Sequence, residues 1–239
     1  MERSEVQFGS TAIEYAVDRA RRHKTVAIRV DPIEGVRVRA PQGLSVAALD
    51  EIVRRKAKWI LDRRRRHEDL PPPPSARRFV SGETFLYLGR QYRLKVDREC
   101  TSDPSVRMVA GRLRISAPDC LRETEIRNEL VGWYRDRAAR RLPDRVAFWA
   151  ARLDLEPNGV LIRDQRKRWG SADAKGNIRL NWRVVQARQS LADYVIAHEL
   201  VHLIYPDHTR DFWATLGVVL PDYEARREAL RLQGRLLVW

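Results

Sequence analysis

Hydrophobic and polar residues alternate in three stretches of the first half of the chain, a period typical of β-strands. The stretches are KTVAIRVDPIEGVRVRAP (24–41), TFLYLGRQYRLKV (84–96) and SVRMVAGRLRISAP (105–118). The first contains a DPIEG turn between its two halves, so it predicts a hairpin. The other two also have the pattern of hairpin strands. Two shorter runs, NGVLIRD (158–164) and GNIRLNW (176–182), predict two further strands.

Other segments carry hydrophobic residues at helical spacing. The segment from Ser45 to His67 predicts one helix with arginine and lysine on its outer face. Residues 123–152 predict a long amphipathic helix or a helix pair, because Pro143 should kink the helix or begin a second one. Ser190-Leu-Ala-Asp193 has the form of a capping box, which predicts a helix start at Ser190, and Pro206 should end that helix.

Two features suggest how the chain is divided. The four prolines at 71–74 predict a stiff spacer between two structural units. In addition, GRLRISAP (111–118) is similar to GVRVRAP (35–41), and a helical pattern follows each. This similarity is either a short internal repeat of strand, Ala-Pro and helix, or a coincidence between two short segments.

The composition is that of a globular protein, with 44% hydrophobic and 33% charged residues in a chain of 239. The net charge of +14 would attract nucleic acid, an anionic membrane surface or an acidic protein. Nearly all of the positive charge is arginine, however, so codon composition is the favoured explanation. No apolar run approaches the roughly 20 residues of a membrane-spanning helix, and the N-terminus has no apolar signal core. We therefore expect a cytoplasmic protein, in which Cys100 and Cys120 are free thiols.

Three of the five histidines fall within HELVHLIYPDH (198–208). His198 and His202 are four residues apart on the predicted helix, so both rings leave the same face and can share one tetrahedral ion. The turn at Tyr205-Pro206-Asp207 would let His208 fold back as a third ligand, which leaves a fourth position open, as in catalytic zinc sites. Ordinary surface histidines are the alternative, but the apolar lining and the helix-breaking turn favour a metal site.

Glu199 follows the first histidine and is offset from it by about 100° around the helix. It can therefore reach a metal-bound water without itself binding the metal. Zinc lowers the pKa of such a water to about 7, and Glu199 would accept its proton as general base and pass it to the leaving amine. The hypothesis is zinc-dependent hydrolysis of an amide bond in a peptide or protein.

Residues 166–223 resemble the YgjP-like metallopeptidase family, which is related to SprT-like and other HExxH proteins. The matching pieces occur in the family's order: RWGS (168–171), GNIRLNW (176–182), HELVH (198–202), His208 with the following Phe-Trp, and LPDY (220–223). The resemblance implies zinc on His198, His202 and His208, with Glu199 catalytic. Ala172 stands where family members often carry cysteine, so this position is not expected to be essential for metal binding.

The fold class that follows is α+β, with a zincin-like catalytic domain at 123–239. It is preceded by a hairpin-rich region with helices, which we divide into a hairpin and helix region (1–70) and a β-rich region after the prolines (71–122). In zincin-like folds an edge strand above the zinc helix pairs with extended substrate, and RKRWGS or NIRLNW could supply that edge.

Several residues near the motif have alternative roles. Arg168 either stabilises an oxyanion or is a structural ion-pair partner. Trp169 either lines a pocket or is part of the core, and Trp182 is expected in the core. Further candidates are Tyr205 and Tyr223 as transition-state donors. Asp207 and Asp211 either orient a histidine as hydrogen-bond acceptors or serve the turn and the start of the next helix.

Two other functions compete with the peptidase hypothesis. A metal-dependent endoribonuclease fits the His-x3-His-x5-His spacing and the positive charge, but those nucleases resemble HGxxH at the position of Glu199. A non-catalytic basic zinc-binding module would need a fourth ligand, for which only His23 and His67 remain among the histidines. A metzincin protease would need glycine in place of Tyr205 and a later methionine, which the sequence lacks.

Overall fold

The computed structural model describes residues 2–20, 24–31, 34–69, 75–98, 104–118, 122–165 and 167–239. The chain is a mixed α/β protein and forms two compact units, Met1–Pro72 and Pro73–Trp239. The predicted proline spacer, the centre of the DPIEG turn (32–33), Cys100 and Cys120 lie outside the described residues. No helix in the described part of the chain is both long and apolar enough to cross a membrane.

The first unit is built on a four-stranded sheet of order β1-β2-β4-β3. Its strands are β1 (Glu2–Phe8), β2 (Thr11–Ala20), β3 (Ala27–Asp31) and β4 (Gly35–Pro41). Strands β3 and β4 pair antiparallel, which confirms the predicted hairpin, and β2 pairs with β4 in parallel. The alternating residues Val36, Val38 and Ala40 are buried in a core that belongs to this unit alone.

The single helix predicted from Ser45 to His67 is wrong, because the segment forms two helices. Helix α1 (Val46–Arg55) starts at Ser45, whose side chain accepts a hydrogen bond from the backbone N–H of Ala48. Helix α2 (Ala57–Glu68) follows after a break at Lys56. The N–H of Lys56 bonds the carbonyls of both Ile52 and Val53 at 3.1 Å, so the last turn tightens before the chain changes direction.

The second unit begins with a four-stranded sheet of order β5-β6-β8-β7. Its strands are β5 (Thr84–Tyr87), β6 (Arg90–Arg98), β7 (Ser105–Val109) and β8 (Arg112–Ala117). Both antiparallel hairpins match the sequence prediction, and β6 and β8 pair in parallel. The pattern of pairing is the same as in the first sheet.

This common topology supports the internal repeat over the coincidence. Strands β4 and β8 hold the same place in the two sheets, and each is followed by a helix. Their buried residues also correspond, with Leu113, Ile115 and Ala117 in β8 at the positions of Val36, Val38 and Ala40 in β4.

The remainder of the second unit combines a long helix with a small sheet. Helix α3 (Glu123–Leu153) continues through Pro143 as one helix, so the alternative of a helix pair does not apply. The sheet has the order β10-β11-β9, and β10 forms an edge. Its strands are β9 (Gly159–Arg163), β10 (Gly170–Ala172) and β11 (Asn177–Asn181). Of the two candidate edge segments, RWGS therefore contains the edge strand and NIRLN the central one.

Three helices complete this unit: α4 (Gln189–Val201), α5 (Arg210–Val219) and α6 (Tyr223–Gln233). The capping box at Ser190 is wrong, because the N-cap of α4 is Arg188 and no side chain caps it. Asp193 is buried instead and forms two hydrogen bonds of 2.9 Å with the guanidinium of Arg145 on α3. The helix also ends before Pro206, at Val201, with His202 as the C-cap.

Candidate metal centre

Helix α4 carries the first part of the candidate site. The helix is apolar on nearly all sides, and Ile196, Leu200 and Val201 are fully buried. A helix of this kind is fixed by packing around its whole circumference. His198 and Glu199 lie in its last turns, and the helical backbone of His202 at the C-cap keeps the i, i+4 relation to His198.

The structure brings the three predicted histidines together. One ring nitrogen from each of His198, His202 and His208 lies within 4.8 Å of the other two. The Nε2 atoms of His198 and His208 are 3.0 Å apart. Nitrogens that face one another at this spacing suit a shared cation, since three imidazoles are an established donor set for a four-coordinate zinc.

The residues around the turn position His202 and His208. The backbone carbonyl of Tyr205 lies 3.1 Å from Nδ1 of His202, so Nδ1–H can donate to it while Nε2 stays free for a ligand. Thr209 caps α5 through the N–H of Phe212, at 3.3 Å. Phe212 is fully buried, and its ring lies 4.6–5.0 Å from the rings of all three histidines. This phenylalanine therefore packs against all three histidines.

The electrostatics of the cluster also fit a metal. Burial, with the neighbouring His202, His208 and Arg227, lowers the pKa of His198 to about 3. Burial and His202 lower the pKa of His208 too, against the opposing charge of Asp207. Imidazoles bind metal in the neutral form, and these two rings are held in that form near neutral pH. Nδ1 of His198 is buried without a hydrogen-bond partner in the described part of the chain.

Glu199 lies beside the histidines and is buried against the edge strand β10. A Cβ atom added to Gly170 would lie 2.6 Å from Cγ of Glu199 and 2.9 Å from its Oε1, so only glycine leaves room for this side chain. Burial raises the pKa of Glu199 to about 7, although the charge of Arg168 and the backbone N–H of Ala172 act in the opposite direction. A carboxyl group in such surroundings is suited to accept and release a proton.

One large cavity joins these groups. It has a volume of about 1170 Å³ and is lined by the three histidines, Glu199, strand β10 and part of helix α6. Arg168 and Trp169 line it as well, whereas Trp182 is fully buried in the core, as predicted. Arg168 is exposed and forms no ion pair with any described residue, which disfavours the structural role.

The remaining predicted residues are distributed around the cluster. Tyr205 contributes its backbone carbonyl to His202. Tyr223 stacks on Trp213 with ring centroids 5.5 Å apart, and its hydroxyl donates to Glu224. Asp211 lies in the first turn of α5, which matches the helix-start alternative, and Asp207 accepts the N–H of Thr209 through its backbone carbonyl.

Sequence reasoning gave no individual role to four residues that shape the site. Gly170 and Trp213 lie in the matched pieces RWGS and Phe-Trp, whereas Tyr194 and Arg227 lie outside the matched pieces. Tyr194 and Arg227 line the cavity, and Trp213 stacks on His208 with centroids 5.4 Å apart. Tyr194 is one helical turn before His198, so the i, i+4 spacing could have identified it. Arg227 comes from α6, and nothing in the sequence connects it with the histidines.

No fourth ligand joins the histidine cluster within the described residues. His23 lies outside the described part of the chain, and the side chain of His67 is also outside it.

Comparison with known proteins agrees with the sequence resemblance. The family model "YgjP-like, metallopeptidase domain" matches residues 24–233. No curated protein matches the chain. A solved structure similar to the chain is the metallopeptidase zymogen of Pyrococcus abyssi abylysin. It is 24% identical, with a TM-score of 0.36, and the match covers 40% of this chain and 94% of that one.

Proposed function

Since the chain belongs to the YgjP-like metallopeptidase family, we propose that it is a zinc-dependent peptidase with its catalytic centre at His198, His202, His208 and Glu199. The observation that carries this proposal is the convergence of three imidazoles beside a buried carboxyl group in one open cavity. We place the catalytic machinery in a zincin-like domain at residues 123–239.

The three imidazoles would hold the zinc. When bound, zinc supplies a Lewis acid that polarises a carbonyl and allows water to ionise near neutral pH. Glu199 is the general base, because it is the carboxyl group next to the ligands and is not itself one of them. It takes a proton from the attacking water and delivers it to the leaving amine, so that the C–N bond breaks and a carboxylic acid and an amine are released.

Other residues would bind and orient the substrate. The edge of β10 with which no other described strand pairs offers backbone groups to an extended peptide, which would lie across the cavity beside Glu199. Arg168, Tyr194 and Arg227 line the same cavity and are the donors available to a developing oxyanion. A peptide or protein substrate fits this edge, since strand addition uses the main chain of the ligand.

The test compares the wild-type protein with Glu199→Gln. Both should bind one zinc per chain by metal analysis, because Glu199 is not a ligand. Cleavage of a proteome-derived peptide library should fall by at least about 10²-fold in the variant, the usual contribution of a general base. A fully active Glu199→Gln protein that retains zinc would contradict the assignment.

The control is Glu5→Gln, which removes a carboxylate from an exposed position of β1 in the other unit. It should retain both zinc and activity. The same proteins are also incubated with single-stranded RNA. Cleavage of RNA but not of peptides would favour the endoribonuclease hypothesis. Zinc binding without hydrolysis of either polymer would favour the non-catalytic module.

A further inference from the structure

A second cavity in the same unit lies next to the candidate centre. It has a volume of about 410 Å³, and its charged lining residues are Arg127, Lys167, Arg168 and Arg183. No aspartate or glutamate lines it among the described residues. Arg183 pairs with Asp164, which leaves three cations without a described carboxylate partner around a small cavity. Like charges this close repel one another, so the arrangement points to an anionic ligand.

The positive charge of this cavity is largely uncompensated. Arg183 pairs with Asp164, but it is 7% exposed and its Nε has no hydrogen-bond partner among the described residues. Arg127, Lys167 and Arg168 form no ion pair in the described part of the chain. This pattern differs from the rest of the surface, where many arginines pair with neighbouring carboxylates. Examples are Arg140 with Asp136, Arg226 with Asp222 and Arg231 with Glu228.

The cationic cavity shares a wall with the candidate centre. Arg168 and Trp169 line both cavities. Buried Asn181 fixes this wall: its side-chain amide donates to the carbonyls of Gln165 at 2.6 Å and Arg168 at 3.0 Å. Its backbone N–H donates to the carbonyl of Trp169 at 2.8 Å. The wall leads directly into the edge strand β10, so a ligand on that strand passes close to the cations.

We propose that the enzyme selects peptides with an aspartate or glutamate close to the scissile bond, and that Arg127, Lys167 and Arg168 bind this carboxylate in the cationic cavity. This inference rests on the proposed peptidase function and specifies its substrate class. A carboxylate suits the cavity because guanidinium groups bind it through charge-assisted and often bidentate hydrogen bonds. A substrate lysine at the same place would meet only like charges.

The first experiment identifies the substrate position. The zinc-loaded wild-type protein digests a proteome-derived peptide library, and the cleavage sites are read by mass spectrometry. Aspartate and glutamate should be enriched at one or two positions on one side of the cleaved bond. Matched Glu and Gln peptides should then differ in kcat/KM by roughly three- to tenfold at low salt, and by less at high salt, as a partly exposed ion pair requires.

The second experiment reverses the charge. Lys167→Glu should lose the preference for the Glu peptide over the Gln peptide and gain one for the matched Lys peptide. The control is Arg140→Glu, which makes the same charge change on α3 at an exposed position outside both cavities, and it should retain the wild-type preference.

Binding to the Glu199→Gln protein separates this inference from the proposed function. Fluorescence anisotropy should show tighter binding of the Glu peptide than of the Gln peptide, and Lys167→Glu in that background should abolish the difference. If peptides are cleaved without any charge preference, the inference is wrong and the peptidase function stands. If single-stranded RNA binds through Lys167 and acidic peptides do not, the cavity serves nucleic acid and the inference is also wrong.

Discussion

Gly170 shows how one missing side chain shapes the candidate centre. Gly170→Ala would place a methyl group 2.6 Å from Cγ of Glu199. Glu199 is only 8% exposed, so its side chain has little room to move away. We expect kcat to fall by about 10²-fold, because a displacement of roughly 1 Å in a catalytic group has an effect of this size. Zinc content should stay at the wild-type level, since the three histidines are untouched.

The matched control is Gly132→Ala in the middle of α3, where an added Cβ meets nothing within 4 Å. It should leave kcat unchanged and stabilise the protein by up to about 1 kcal/mol through helix propensity. Steady-state kinetics and thermal unfolding of both variants give the comparison. Equal activity in Gly170→Ala and the wild type would mean that Glu199 is not held against β10 during turnover.

At the residue scale, the sequence predicts contacts between residues that are close together in the chain. The HExxH spacing and the turn before His208 were sufficient to predict that three imidazoles converge, because helix geometry fixes the first two. The role of Gly170 could not be derived, although the matched motif RWGS contains this residue, and Arg227 lies outside every motif. Both reach the site from elements that are distant in sequence from the histidines. Their positions depend on tertiary packing, which no short motif encodes.

Helix α4 is held against α3 by the partly buried ion pair between Arg145 and Asp193, whose side chains are 24% and 9% exposed. Asp193→Ala would leave the Arg145 guanidinium partly buried without its partner. We expect a loss of about 2–3 kcal/mol in the free energy of unfolding, somewhat below the range for fully buried pairs. Denaturant unfolding measures the loss.

The control is Asp136→Ala, which breaks the exposed pair with Arg140 on the same long helix. It should cost no more than about 0.5 kcal/mol. Similar losses in the two variants would show that the pair between α3 and α4 contributes no more than a surface contact. Ser190→Ala is expected to have little effect on stability, because this serine does not cap α4.

Helices and strands with a strong hydrophobic period could be predicted from the sequence, but their first and last residues could be predicted less well. The hairpins follow directly from alternation, but the break at Lys56 has no proline or glycine to announce it. The apparent capping box at Ser190 failed because a partly buried ion pair uses Asp193, so a tertiary contact overrides a local capping preference. Strands β1 and β2 were not predicted as strands at all, although β2 pairs in parallel with β4.

At the scale of the whole molecule, the buried residues of the described chain form two hydrophobic cores, one in each unit. One involves residues Val6 to Ile60 and the other residues Phe79 to Leu237. Only the second contains the candidate metal centre. The two four-stranded sheets share one topology, so the internal repeat, visible in the sequence as two short similar segments, extends to the order and direction of every strand in both sheets.

Separate cores predict that metal removal acts on one unit. A chelator should lower the melting temperature of the second unit by about 10 °C. A ligand at about 1000 times its Kd stabilises the folded state by about 4 kcal/mol, and each kcal/mol shifts the melting temperature of a domain of this size by about 2–4 °C. Amide hydrogen exchange shows which unit is destabilised. On metal removal, protection should fall around α4 and α5 and remain constant in β1–β4. His208→Ala should lower the melting temperature of the second unit without chelator and respond little to it. Equal loss of protection in both units would show that the two cores unfold together.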